Sequence, residues 1–161
     1  MTRKTMSRLL KAFLLIAAAL AALFFFAFLP FYGSELARCS PEFRWAYWPC
    51  QIWAWFFAVP IFAAVFPAWE IFGSIEKSGE AFSRKNAKAF RLLSILAFSD
   101  AAIFPLGMLT VAFMGAGSAP LTVLVTPVVI FIAAAVGTAC YVMSRLVSDA
   151  AALKDENDLT I

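Results

Sequence analysis

Apolar residues in this chain come in long unbroken runs, not in alternation with polar ones. Ala12 to Tyr32 holds 21 residues without a charge and Ala46 to Trp69 holds 24, each about what a helix needs to cross roughly 30 Å of hydrocarbon. From Ala101 to Ser144 there are 44 uncharged residues, about twice one crossing. The segment Met114-Gly115-Ala116-Gly117-Ser118-Ala119-Pro120 divides that run, because glycine and proline mark turns and proline suits the first position of a helix. The pattern therefore predicts four transmembrane helices, at about 12–32, 46–69, 92–114 and 120–144.

Strands do not fit. A membrane barrel strand alternates lipid-facing and lumen-facing residues, and Ala17-Ala18-Ala19-Leu20 and Val128-Val129-Ile130-Phe131 do not alternate. Pro60, Pro105 and Pro127 fall inside runs and predict kinks. The first run is too long for a cleaved signal and no small-x-small site follows it, so it is expected to stay as a helix. With no internal repeat and no linker, residues 1–161 read as a single all-α membrane domain.

Composition agrees. The chain is 63% hydrophobic and 14% charged, with mean hydropathy +0.86, whereas soluble domains carry about 25% charge. That excludes an ordinary soluble globule and a disordered chain. It contains no histidine, which removes the commonest general base and metal ligand.

Charge predicts orientation. Lys and Arg favour the cytoplasmic side in short loops. The N-terminal segment carries Arg3, Lys4, Arg8 and Lys11, the 70–91 loop carries Lys77, Arg84, Lys85, Lys88 and Arg91, and the end carries Arg145 and Lys154. The 33–45 loop carries only Arg38 and Arg44, and the 114–120 turn none. Both termini and the middle loop are thus expected inside, with 145–161 as a cytosolic tail. Trp45, Trp48 and Trp69 fall at run ends, as an aromatic belt requires. The net charge of +3 follows from topology and attraction to anionic lipid, with no nucleic-acid partner implied.

The middle loop also has a pattern of its own. Ser83 suits a helix cap, and Phe82, Phe90 and Leu93 share a helical face with basic residues around the rest. This predicts a cytosolic helical extension before the third crossing. The extension reads either as lying on headgroups or as docking an acidic partner.

Two stretches carry a resemblance. Ser78-Gly79-Glu80-Ala81-Phe82-Ser83-Arg84-Lys85-Asn86-Ala87-Lys88 and the ending Leu153-Lys154-Asp155-Glu156-Asn157-Asp158-Leu159-Thr160-Ile161 resemble the loop and the acidic tail of the bacterial membrane family called domain of unknown function 2975. The resemblance implies a four-helix bacterial inner-membrane protein without an established activity. It also implies a membrane partner for small helix-turn-helix regulators, which are often encoded beside such proteins.

Candidate sites are few. Asp100 is the one acid well inside a hydrophobic segment. It reads either as a proton or cation site or as an interfacial acid bonded to Ser94, Ser99 or a basic residue. Glu70, ending the second run, is expected near Arg91 or simply at the interface. Cys39 and Cys50 lie on the predicted outer side, either bridged or as two unpaired thiols, with Cys140 out of their reach. Ala18 with Ala22, and Ala133 with Gly137, allow close helix approach within the bundle or in a homodimer. Trp53, Trp55, Phe56 and Phe57 read as packing or as a pocket lining. Arg84, Lys85 and Lys88 with Asp155, Glu156, Asn157 and Asp158 form the candidate surface for a cytosolic protein.

No metal, cofactor or catalytic set is expected: paired intramembrane acids, G-x-S-x-G, phosphate-loop and zinc spacings are all missing. The first expectation for function is a regulatory or interaction protein of the membrane. The alternative is a small proton- or cation-coupled transporter using Asp100.

Overall fold

The computed structural model describes residues 3–77, 83–115 and 119–158, and every regular element among them is helical. In chain order these are α1 (Arg3–Leu23), a π-helical turn (Phe24–Phe28), α2 (Leu29–Cys39), a tight helical turn (Pro41–Ala46), α3 (Tyr47–Ala63), α4 (Val65–Lys77), α5 (Arg84–Phe113) and α6 (Ala119–Asp158). Four stretches are long and apolar enough to cross a membrane: Lys4–Cys39, Pro41–Glu76, Arg84–Phe113 and Thr122–Lys154. The four expected crossings are all present.

The helices outrun their apolar runs. α1 starts nine residues before Ala12, and α6 continues fourteen past Ser144. Most of the 33–45 loop is the end of α2, where Arg38 pairs with Glu35 at 3.2 Å, one turn apart. The reason is that charge ends the membrane-embedded part of a helix without ending its hydrogen-bond ladder.

Proline acts differently at its several positions. α5 and α6 run on through Pro105 and Pro127. The second crossing instead breaks at Ala64, three residues before Pro67, whose ring crowds the carbonyl four residues back. The first crossing widens into its π turn just before Pro30, and the Leu29 N–H reaches back five residues to the Phe24 carbonyl.

Each crossing packs mainly on the next in sequence: α1 on α4, α3 and α4 on α5, and α5 on α6. Small residues make these seams. Ala54, Ala58, Ala87 and Ala89 are buried. At Gly107 the indole of Trp53 occupies the space a Cβ would need, 1.7 Å from its position. Gly137 similarly meets the Phe98 ring, 3.1 Å from its would-be Cβ, which assigns that small residue to packing inside the chain.

Burial is the reverse of a soluble protein's. The most completely buried larger side chains are polar, Asn86 and Ser7, while Phe113 is 89% exposed. Large apolar residues line the outside, where lipid covers them.

Hydrogen bonds fasten one end of the row. Ser7 Oγ donates to the Phe72 carbonyl at 2.6 Å, Asn86 Nδ2 to Ser74 Oγ at 2.7 Å, and Ser144 Oγ to the Ala87 carbonyl at 2.7 Å. This chain of contacts runs through all four crossings and brings the N-terminal and C-terminal segments to the same end.

Candidate functional site

The fastened end is also the cation-rich one. Ser83 has extended backbone and its hydroxyl accepts the Asn86 backbone N–H at 3.2 Å, so the expected cap forms and starts α5. From there Arg84, Lys88 and Arg91 follow at spacings of four and three, which place them on one helical face. That face turns toward α6. Together with Arg145 and Tyr141 these residues line a cleft of about 450 Å³ between the two helices.

Its geometry is set by local bonds. Arg145 donates from Nε and Nη2 to the Tyr141 hydroxyl at 3.3 and 3.2 Å, with its guanidinium 5.6 Å from the ring centre. Ser144, Val147 and Ala151 form the buried stripe that holds this part of α6 down, while residues 152–154 are exposed.

Lys85 belongs elsewhere. It faces α4 and pairs with Glu70 at 3.3 Å, so Glu70 meets Lys85 and not Arg91. The sequence grouped Lys85 with Arg84 and Lys88; the helix separates them by about 100° per residue. Arg91, Arg145 and Tyr141 join the cleft unexpectedly. Arg91's spacing was a legible signal, but Arg145 is brought in only by the α5–α6 packing. Asp155, Glu156, Asn157 and Asp158 fall in the last turns of α6, and their side chains lie outside the described residues.

Behind the cleft the anchoring is partly ionic. Lys11 Nζ donates to Glu76 Oε2 at 2.6 Å and sits 5.4 Å from the Trp69 ring centre. Glu76 lies seven residues beyond the uncharged run, and the hydrogen bond and charge of Lys11 hold its carboxyl below its ordinary value of 4.5.

Asp100 lies midway along α5, half-buried, and its Oδ1 is buried without a hydrogen-bond partner. Ser99 does not serve it: its hydroxyl donates to the Ile95 carbonyl at 2.9 Å. Cys39, Cys50 and Cys140 are free thiols, Cys39 exposed and the others half-buried. Among the described residues no group of three metal-ligating side chains occurs. The aromatic cluster is divided among seams. Trp53 and Phe57 pack on Phe104 of α5, Trp55 Nε1 donates to the Phe25 carbonyl at 3.3 Å, and Phe56 faces outward.

Four apolar crossings, an inverted burial pattern and a basic end define a multi-pass membrane protein. Comparison with known proteins makes the family specific. Residues 31–161 match the family described as Protein of unknown function (DUF2975), and the chain belongs to it. It is 26% identical over 161 residues to the Uncharacterized membrane protein YoaS of Bacillus subtilis (strain 168), covering 97% of this chain and all of that protein. No solved structure matches.

Proposed function

We propose that the chain is a regulatory membrane protein that docks a cytosolic protein with an acidic surface. The observation that carries this reading is the convergence of Arg84, Lys88, Arg91 and Arg145 on one cleft between α5 and α6. Basic side chains on one hollow offer an acidic partner charge-assisted hydrogen bonds. The excess of Lys and Arg at this end supports placing it in the cytosol of a bacterial inner membrane. α6 continues beyond the cleft toward Asp155, Glu156, Asn157 and Asp158, a neighbouring stretch of opposite sign. A small helix-turn-helix regulator is the partner suggested by the family resemblance. No catalytic step enters this reading.

The test is a crosslinked pull-down from native membranes with three forms: the full chain, a chain ending at residue 152, and Arg84→Glu with Lys88→Glu. The full chain is expected to capture a cytosolic protein that both altered forms lose, with membrane insertion unchanged. Equal capture by all three, or no cytosolic protein at all, contradicts the proposal.

A second reading is supported by the unpartnered Oδ1 of Asp100: coupled transport of a proton or cation. Substrate-driven flux in vesicles should then be lost in Asp100→Asn, and flux that survives the substitution excludes it.

A further inference from the structure

The end of the molecule away from the basic cleft contains a second site, built from two adjoining hollows. We infer that it binds one glycerophospholipid, with the acyl chain in one hollow and the phosphate in the other.

The first hollow, about 410 Å³, lies between α2, α3 and α5, with Leu29, Leu36, Trp53, Met108 and Val111 among its walls. The π turn leads into α2, and beside the hollow Tyr47 links α2 to α3: its hydroxyl donates to the Pro30 carbonyl at 3.5 Å and its ring lies 3.1 Å from the would-be Cβ of Gly33. The second hollow, about 570 Å³, is lined by Ser34, Arg38, Arg44 and Trp48. Ala37 and Tyr47 line both, so the two adjoin.

One wall residue of the apolar hollow is out of place for packing alone. Gln51 is 4% exposed, and its Nε2 has no hydrogen-bond partner. An amide donor left unsatisfied in an apolar setting is costly, and an acceptor brought by a ligand removes that cost. Gln51 lies five residues into the run that begins at Ala46, roughly 7 Å below its start at 1.5 Å per residue. The arginines lie outside that run.

The arginines therefore lie at the outer edge and Gln51 deeper, among apolar walls that run from Leu36 and Val111 near that edge down to Trp53. A glycerophospholipid presents the complementary groups: a phosphate for the arginines, an ester carbonyl for the amide and an acyl chain for the apolar walls. Arg44 and Arg38 face the phosphate, Gln51 donates to an ester carbonyl, and the chain lies against the walls made by Val111, Met108 and Trp53. Arg38 shares its guanidinium with Glu35, but that pair is exposed and opens at little cost. A free fatty acid or a neutral diacylglycerol supplies only part of this set.

The test is native mass spectrometry of the full chain in mild detergent, titrated with palmitoyl-oleoyl phosphatidylglycerol, with the phosphatidylethanolamine of the same chains, and with the phosphate-free diacylglycerol. One phospholipid should be retained per chain, and the diacylglycerol about tenfold more weakly, the loss of one charge-assisted contact. Arg38→Gln with Arg44→Gln, at exposed positions that leave the fold intact, should weaken phospholipid retention about tenfold and leave the diacylglycerol unchanged. Gln51→Leu should weaken all three lipids alike. Arg84→Gln with Lys88→Gln should alter none of them. Undiminished phospholipid retention in the Arg38, Arg44 pair overturns the proposal, as does equal affinity for the diacylglycerol. Loss only in the Arg84, Lys88 pair places the lipid at the other end and overturns it too. A ratio between the two phospholipids near one assigns the phosphate as the recognised group. A strong preference for phosphatidylethanolamine overturns that assignment and makes the amine the group held.

Discussion

The two ends of this molecule solve the same packing problem in opposite ways. At the cation-rich end, buried polar groups are paired across helices. Ser7 meets the Phe72 carbonyl, Asn86 meets Ser74, and Ser144 meets the Ala87 carbonyl. At the far end a hollow lies between α2, α3 and α5, and the amide nitrogen of Gln51 has no partner. In a membrane the hydrophobic effect does not press helices together, so small residues and specific hydrogen bonds must do it. At the first end such bonds fasten the helices, and toward the second, close contacts at Gly107 and Gly33 hold them around a hollow.

Substitutions that attack the seams should rank accordingly. The largest effect is expected at Gly107→Ala, because the added Cβ would fall 1.7 Å from the Trp53 side chain. Overpacking of that severity should cost about 3 kcal/mol or more and prevent a folded monomer from being recovered in detergent. Monodisperse protein with an unchanged melting temperature would show that Trp53 moves aside freely.

Next comes the fastened end. Asn86→Ala removes the amide that donates to Ser74, from a site 1% exposed, and should lower stability by about 2 kcal/mol in a reversible unfolding assay. Ser144→Ala removes one neutral bond to the Ala87 carbonyl and should cost about 1 kcal/mol. If Ser144→Ala proves the more damaging of the two, the polar pairing between α4 and α5 is not what closes this end.

The Lys11–Glu76 pair gives the comparison a pH dependence. Lys11 lowers the Glu76 carboxyl below 4.5, so its contribution to stability is complete above that value and is lost as pH falls through the lower, folded-state value. Melting temperature should fall with acidification in the native chain, and Glu76→Gln should flatten that part of the profile. The smallest effect is expected at the far end's exposed pair: Glu35→Gln, which breaks the contact with Arg38, should change stability by less than about 0.5 kcal/mol.

Much of the architecture was legible in the residues. Four crossings follow from uncharged runs, and Ser83 announced the start of α5 because a serine before a run of helix formers has few other uses. The missed features are those that depend on three dimensions. Proline positions are visible in sequence, yet whether a helix continues through, as at Pro105, or widens beforehand, as at Pro30, depends on what packs beside it. Lys85 looked like part of a basic cluster, but one residue of helical rotation turns it to Glu70 and leaves Arg84 and Lys88 facing α6. Arg145 belongs to the cleft although it lies 54 residues from Arg91 in the chain, and no periodicity could connect them. Gln51 carries no signal within an apolar run, because a single amide there is ordinary until its burial without a partner is known.

Sidedness is the claim on which the proposed function depends most directly. Two single-thiol forms decide it: one retaining Cys39 alone, the other carrying Ser148→Cys beside the basic cleft with Cys39, Cys50 and Cys140 replaced by serine. A membrane-impermeant maleimide applied to intact cells should label Cys39 and spare the thiol at position 148 until the cells are opened. Labelling of position 148 in intact cells, with Cys39 protected, would place the basic cleft outside the cell and contradict the account.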